Sequence, residues 1–170
     1  MKSSPKSKPM KRIAFIFISL VFFSCSKSGI LSIPIKMSNS LDIAVTANTP
    51  DNLRVPLNVD AGNDPEMQQY LSRVKSFSVK SISYEIQNFY GNPGTELTGN
   101  VSIGDINIGI NKLILDKPGV HTLELTGEQL AAISADFSAD HAVSAMVGGT
   151  VTNKPAAFRI KFTFNVSVRL

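Results

Sequence analysis

The chain has no tryptophan, one cysteine, two histidines and three tyrosines in 170 residues, and each shortage closes off a chemistry. The lone Cys25 can form neither an intramolecular disulfide nor a thiolate zinc cluster, so stability has to come from packing. His121 and His141 have no Cys or His partner at ligand spacing. Zinc and copper sites assemble three or four such donors, and the two histidines read as polar residues at strand ends. There is no nucleophile elbow and no His-Glu-x-x-His motif, so the serines and the 13 acidic residues outline no hydrolytic centre. We expect a non-enzymatic chain without a cofactor. Few aromatic rings also disfavour a broad stacking platform for sugars. The longest apolar stretch, Ile13–Phe23, is 11 residues, short of the roughly 20 needed to cross a hydrocarbon core.

That stretch sits in an informative frame. Lys2, Lys6, Lys8, Lys11 and Arg12 precede it without an acidic residue, the bias of a segment whose start stays cytoplasmic. Ser24 and Cys25 follow it. The pattern resembles a bacterial lipoprotein signal peptide; Ser24 and Cys25 match the end of a lipobox, while Phe22 and Phe23 stand where leucine and a small residue are usual. The resemblance implies residues 1–24 as signal peptide and residues 25–29 as lipidated cysteine and tether; the 146 residues from Cys25 onward suffice for one domain, expected over residues 30–170. Met10, followed by Lys11-Arg12, is an alternative start to Met1.

Acyl chains contribute about 0.8 kcal/mol per buried methylene, so several on Cys25 would make a lasting anchor. Ser26–Gly29 would hold the domain within about 14 Å of it. Ser26 after the cysteine, with no acidic run behind it, implies by the same resemblance the periplasmic face of an outer membrane. Removing the signal also changes the charge. Five of the 17 basic residues precede Cys25, leaving 12 against 13 acidic ones, so the net charge of +4 belongs to the precursor and gives no support to a nucleic-acid partner.

Period-2 alternation dominates the rest and predicts strands with one buried face. It runs through Leu31–Met37, Leu41–Ala47, Leu53–Val59, Ile82–Ile86, Val143–Val151 and, most clearly, Phe158–Leu170. Pro56 places its strand at an edge. Turn residues Asn48–Asn52 and Asn153–Pro155 suggest two hairpins. Phase changes predict a bulge near Lys80, and either a bulge or a tight turn at Gly104-Asp105; Gly148-Gly149 suggests another bulge. Asp64-Pro65-Glu66 opens a helix through about Val74, and Thr126 with Gln129 resembles a capping box for a second through about Phe137. The expected fold is all-β: an antiparallel β-sandwich, loosely immunoglobulin-like, with two short capping helices.

Two places offer sites. Asp60, Asn63, Asp64 and Glu66 share one loop with Gly62, an oxygen-rich spacing that could hold calcium, although Asp64 already has work as a helix cap. Phe89, Tyr90, Asn92 and Pro93 lie in a Gly/Pro/Asn-rich turn, where aromatics either present a binding surface or fold back over the core. The leading expectation is a non-catalytic, lipid-anchored envelope module that holds a protein partner or cell-wall component through that loop. A carrier of a lipid or other apolar molecule is the alternative, and an enzyme of unknown class the third.

Overall fold

Alternation becomes structure in eight strands: β1 (Ser32–Val45), β2 (Leu53–Asp60), β3 (Ser76–Gly91), β4 (Glu96–Ile103), β5 (Ile106–Ile114), β6 (Val120–Thr122), β7 (Ala142–Val151) and β8 (Ala156–Arg169). Two α-helices join them, α1 (Pro65–Gln68) and α2 (Gly127–Asp140). The computed structural model describes residues 31–170; the expected signal peptide, Cys25 and tether lie outside the described residues.

The strands form two antiparallel four-stranded sheets, in order β1-β8-β3-β6 and β2-β7-β4-β5. The pairs β1·β8, β2·β7, β3·β6 and β4·β5 nest like one long hairpin. Rolling that hairpin brings β8 against β3 and β7 against β4. This is the jelly-roll form of the sandwich. The expected two-layer antiparallel sandwich is present; its likeness to an immunoglobulin domain is one of layers, and its strand order is that of the jelly roll.

Both expected hairpins are corrected. β1 and β2 lie in different sheets, as do β7 and β8, so Thr46–Asn52 and Thr152–Pro155 cross between the layers. Alternation shows that a strand has one buried face, but not which neighbour bonds its edge. The hairpin that does form is β4–β5, through Gly104-Asp105 with Gly104 at φ 55. Pro56 lies on edge strand β2, as its missing N–H requires.

The two strands expected before residue 48 are one, because Ser38-Asn39-Ser40 keeps the phase. Asn39 takes an inward position, and its Nδ2 donates to the Asn58 carbonyl at 2.9 Å, tying the two sheets together. The bulge near Lys80 is present. Pairing runs without a shift through Gly148-Gly149; Gly149 instead permits close approach, since a Cβ on it would stand 2.4 Å from the Thr98 carbonyl oxygen. The bulge of that sheet falls on β5, where Lys112 has φ 47.

The first helix is shorter than expected. Asp64 caps it by accepting from the Glu66 and Met67 amides, but α1 ends at Gln68 and a 3-10 turn covers Leu71–Arg73. Ten residues give few i→i−4 bonds to offset nucleation; the shorter bonds Tyr70 N→Met67 O and Arg73 N→Tyr70 O, both 2.8 Å, carry the chain while Met67 stays buried.

The second helix forms with both arms of its capping box and replaces a strand. β6 pairs only with Ser83–Glu85, leaving the β3 edge open over Phe77 and Val79. Along that stretch Ser138 Oγ accepts from the Phe77 amide at 3.0 Å and Ser134 Oγ from the Val79 amide at 2.8 Å. Residues i and i+4 of a helix rise about 6 Å, and alternate strand residues about 6.7 Å, so two serines match two amides. The same hydroxyls donate to the Leu130 and Ser134 carbonyls. The apolar face of the helix meets the core at Phe137, whose ring lies 5.8 Å from both Phe77 and Phe164.

Candidate functional site

Strand β1 spans 14 residues, about 45 Å at 3.3 Å per residue, and gives the sandwich two distinct ends. At one, the Leu170 amide donates to the Leu31 carbonyl at 3.1 Å and the Lys75 amide to Arg169 at 2.8 Å. At the other lie Thr46–Asn52, the Phe89–Thr95 segment and Thr152–Pro155, because Val45, Ala156 and Gly91 share one row of the sheet.

A bulge in β3 builds the site at this far end. Gln87 pairs with Arg159 and Tyr90 with Ala157, so Asn88 and Phe89 together oppose Phe158. Asn88 takes the left-handed conformation at φ 52, which asparagine tolerates better than most residues. The extra residue reverses the strand's phase. Phe89 packs half-buried against the core, close enough that a Cβ on Gly91 would meet its ring at 2.9 Å. Tyr90 goes to the outer face and is 81% exposed. Of the two expected aromatics, one covers the core and one is presented.

Tyr90 borders a shallow dish. Its row across the sheet continues through Ala157 to Ala44, and a concavity of about 200 Å³ lies over Asp42, Ala44, Asn88, Ala157 and Arg159. Two methyl groups make a low floor. Asp42 and Arg159 are direct cross-strand partners and form a two-pronged pair, Nε to Oδ1 at 2.7 Å and Nη2 to Oδ2 at 2.9 Å. The hydrogen bonds from Arg159 hold the Asp42 carboxyl below the usual carboxylate range, and Asp42 raises Arg159 in turn. The dish thus offers an apolar floor and a fixed pair of opposite charges, with the exposed Tyr90 next in its row, a set suited to recognition.

Asn92 and Pro93 hold the adjoining loop. The Thr95 amide donates to the Asn92 carbonyl at 3.2 Å and the Thr95 hydroxyl at 2.6 Å. Pro93 at the second position and Gly94 at φ 71 make this a type II turn, and the Gly94 amide is fixed by Asp116 Oδ2 at 2.9 Å. On the other side, Lys154 Nζ donates to the Thr49 carbonyl at 2.6 Å and to Asp51 at 2.7 Å, lowering the Asp51 pKa. The loops of this end are therefore pinned to one another.

The calcium candidates have other work. Asp60 Oδ1 accepts from the Gly62 amide at 2.7 Å, and Asn63 Nδ2 donates to Asp60 Oδ2 at 3.5 Å. Asp64 Oδ1 accepts from Glu66 and Met67 at 2.9 and 3.1 Å. Among the described residues no group of three or more His, Cys, Asp or Glu is arranged to hold a metal ion. His121 stacks on Tyr84 with centroids 5.2 Å apart, and His141 ends α2 in the left-handed conformation at φ 56. Burial raises the Tyr84 hydroxyl pKa.

Sequence reasoning missed Asp42, Ala44, Asn88, Ala157 and Arg159 as members of the site. Alternation within Leu41–Ala47 and Phe158–Leu170 puts Asp42 and Arg159 on outward faces, but nothing local joins residues 117 positions apart.

No protein family and no curated protein matches this chain. Among solved structures, desmodium yellow mottle tymovirus is similar with a TM-score of 0.41 at 11% identity, covering 99% of this chain and 92% of that one. A decameric BFDV capsid protein is similar with a TM-score of 0.43 at 6% identity, covering 82% of this chain and 100% of that one. The jelly-roll assignment rests on the strand order itself.

Proposed function

We propose that this chain is a non-catalytic module of the bacterial cell envelope, anchored through lipid on Cys25, that holds a protein partner or cell-wall component at the end of the sandwich far from Leu31. The observation that carries the reading is Tyr90, 81% exposed on a bulge whose neighbouring loops are pinned. Loops fixed in advance leave little more than the ring's own torsions to order on binding. With the anchor preceding Leu31 and the dish about 45 Å along β1, the contact surface would point away from the periplasmic face of the outer membrane. The carrier alternative has no comparable support: Phe137, Phe162, Phe164 and Ile82 fill the space between the sheets, and the dish is on the outside.

The test compares the full chain with its Tyr90→Ala variant for binding to purified cell-wall sacculi and to envelope extract of the native host, with melting temperature alongside. We expect unchanged melting and at least a roughly tenfold loss of binding, the scale of a central aromatic contact. Equal binding by both proteins would refute the assignment.

A further inference from the structure

The other end of the same sheet carries a second concavity, of different chemistry. It measures about 550 Å³ and lies over Pro34, Lys36, Glu66, Lys80, Asn165 and Ser167. Lys36 sits opposite Asn165 on β8, and Asn165 sits opposite Ser81 on β3. The β1 and β3 backbones flanking this row are therefore about 9.6 Å apart, two strand spacings. The bulge between Val79 and Ser81 adds Lys80 to this outer row, the re-aiming of a side chain that bulges produce. Asn165 is held in place by donating to Ser81 Oγ at 2.8 Å, and Ser167 by a 2.6 Å bond to Ser32.

The lysines are free to take an anion. Among the described residues the ion pairs are Lys112–Glu96, Lys154–Asp51 and Arg159–Asp42, and none uses Lys36 or Lys80. Glu66 is the single carboxylate of the lining, so the groove carries two ammonium groups against one acid. Lysine binds phosphate as a point charge without requiring the flat geometry of arginine. Position supplies the source. Pro34 lies about 10 Å along β1 from Leu31, and the six residue steps from Cys25 to Leu31 reach at most about 21 Å.

We propose that this groove binds the phosphate of an anionic lipid headgroup, with Lys36 and Lys80 on either side of it and Asn165 and Ser167 on its floor. Headgroup contact would hold the domain against the bilayer by its Leu31 end while the Tyr90 end stays free. The inference rests on the anchoring part of the proposed function and is independent of what Tyr90 binds.

The experiment places the full lipidated chain in phosphatidylcholine nanodiscs with or without phosphatidylglycerol. Amine acylation at individual lysines is then followed by mass spectrometry. Phosphatidylglycerol should slow Lys36 and Lys80 roughly fivefold, the effect of one lysine at an anionic surface, and leave Lys117 and Lys161 unchanged. Lys80→Gln should return Lys36 to its unprotected rate. Equal rates in both discs, uniform slowing of all four lysines, or protection by added inorganic phosphate alone would each overturn the proposal. A chain that fails to stay with either disc refutes the anchor instead, so the two failures are distinguishable.

Discussion

Replacing Ser134 and Ser138 together with alanine removes the hydroxyls that accept from the Val79 and Phe77 amides. An amide left unsatisfied in a part-buried setting costs about 1–3 kcal/mol. Alanine returns about 0.5 kcal/mol per site through better helix propensity. The net loss is thus about 0.5–2.5 kcal/mol per site and about 1–5 kcal/mol for the pair, against a total stability of about 7–20 kcal/mol for a domain of this size. At about 3–5 °C per kcal/mol, melting should fall by roughly 3–25 °C. Urea unfolding gives the free energy, and amide hydrogen exchange shows whether Phe77 and Val79 lose protection ahead of their neighbours. Ser144→Ala, on an exposed position of β7, is the control and should change little. A double variant within about 0.5 kcal/mol of the parent, with Phe77 and Val79 still protected, would refute the idea that α2 closes this edge.

Three further outcomes follow from the same geometry. Phe89→Ala should lower stability by about 1.5–2.5 kcal/mol, half the cost of truncating a fully buried phenylalanine, measured by the same unfolding; no loss would mean that the ring does not pack on the core. Asn88→Val should cost about 1–2 kcal/mol because a β-branched residue resists the left-handed conformation, whereas Asn88→Gly should be close to neutral; equal effects of both would count against the bulge. Asp42 and Asp51 titrate below their ordinary value of 3.8 through bonds from Arg159 and Lys154. The unfolded chain then takes up protons first, so their stabilisation is present above about pH 4 and is lost as pH falls through the lowered native values. Asp42→Asn and Asp51→Asn together should flatten the acid limb of a stability-against-pH curve, and an unchanged limb would contradict the pairing.

The faces of the strands were legible because alternation reports burial directly. From Phe158 to Val168 all six inward positions of β8 are buried, as the unbroken alternation indicates. The α2 cap was legible because its two partners are three residues apart. Strand partners were not, since Asn153-Lys154-Pro155 has the composition of a hairpin turn and yet crosses between sheets. The candidate site was half legible. Turn composition drew attention to Phe89 and Tyr90, but which ring faces solvent depends on one extra residue at Asn88, and a left-handed asparagine looks in sequence like any other. The Asp42–Arg159 pair and the Lys36–Lys80 groove depend on register across β8, which no local pattern carries.

The proposed role of the bulge is to present Tyr90 as the contact for an envelope partner. Its most direct test replaces Tyr90 with a photo-crosslinking phenylalanine analogue in the full chain, expressed in its native host and illuminated in living cells. Met146, exposed on the outer face of the other sheet, serves as the comparison position. One discrete adduct is expected from position 90 and none from position 146. The absence of an adduct from position 90, or the same adducts from both positions, would contradict it.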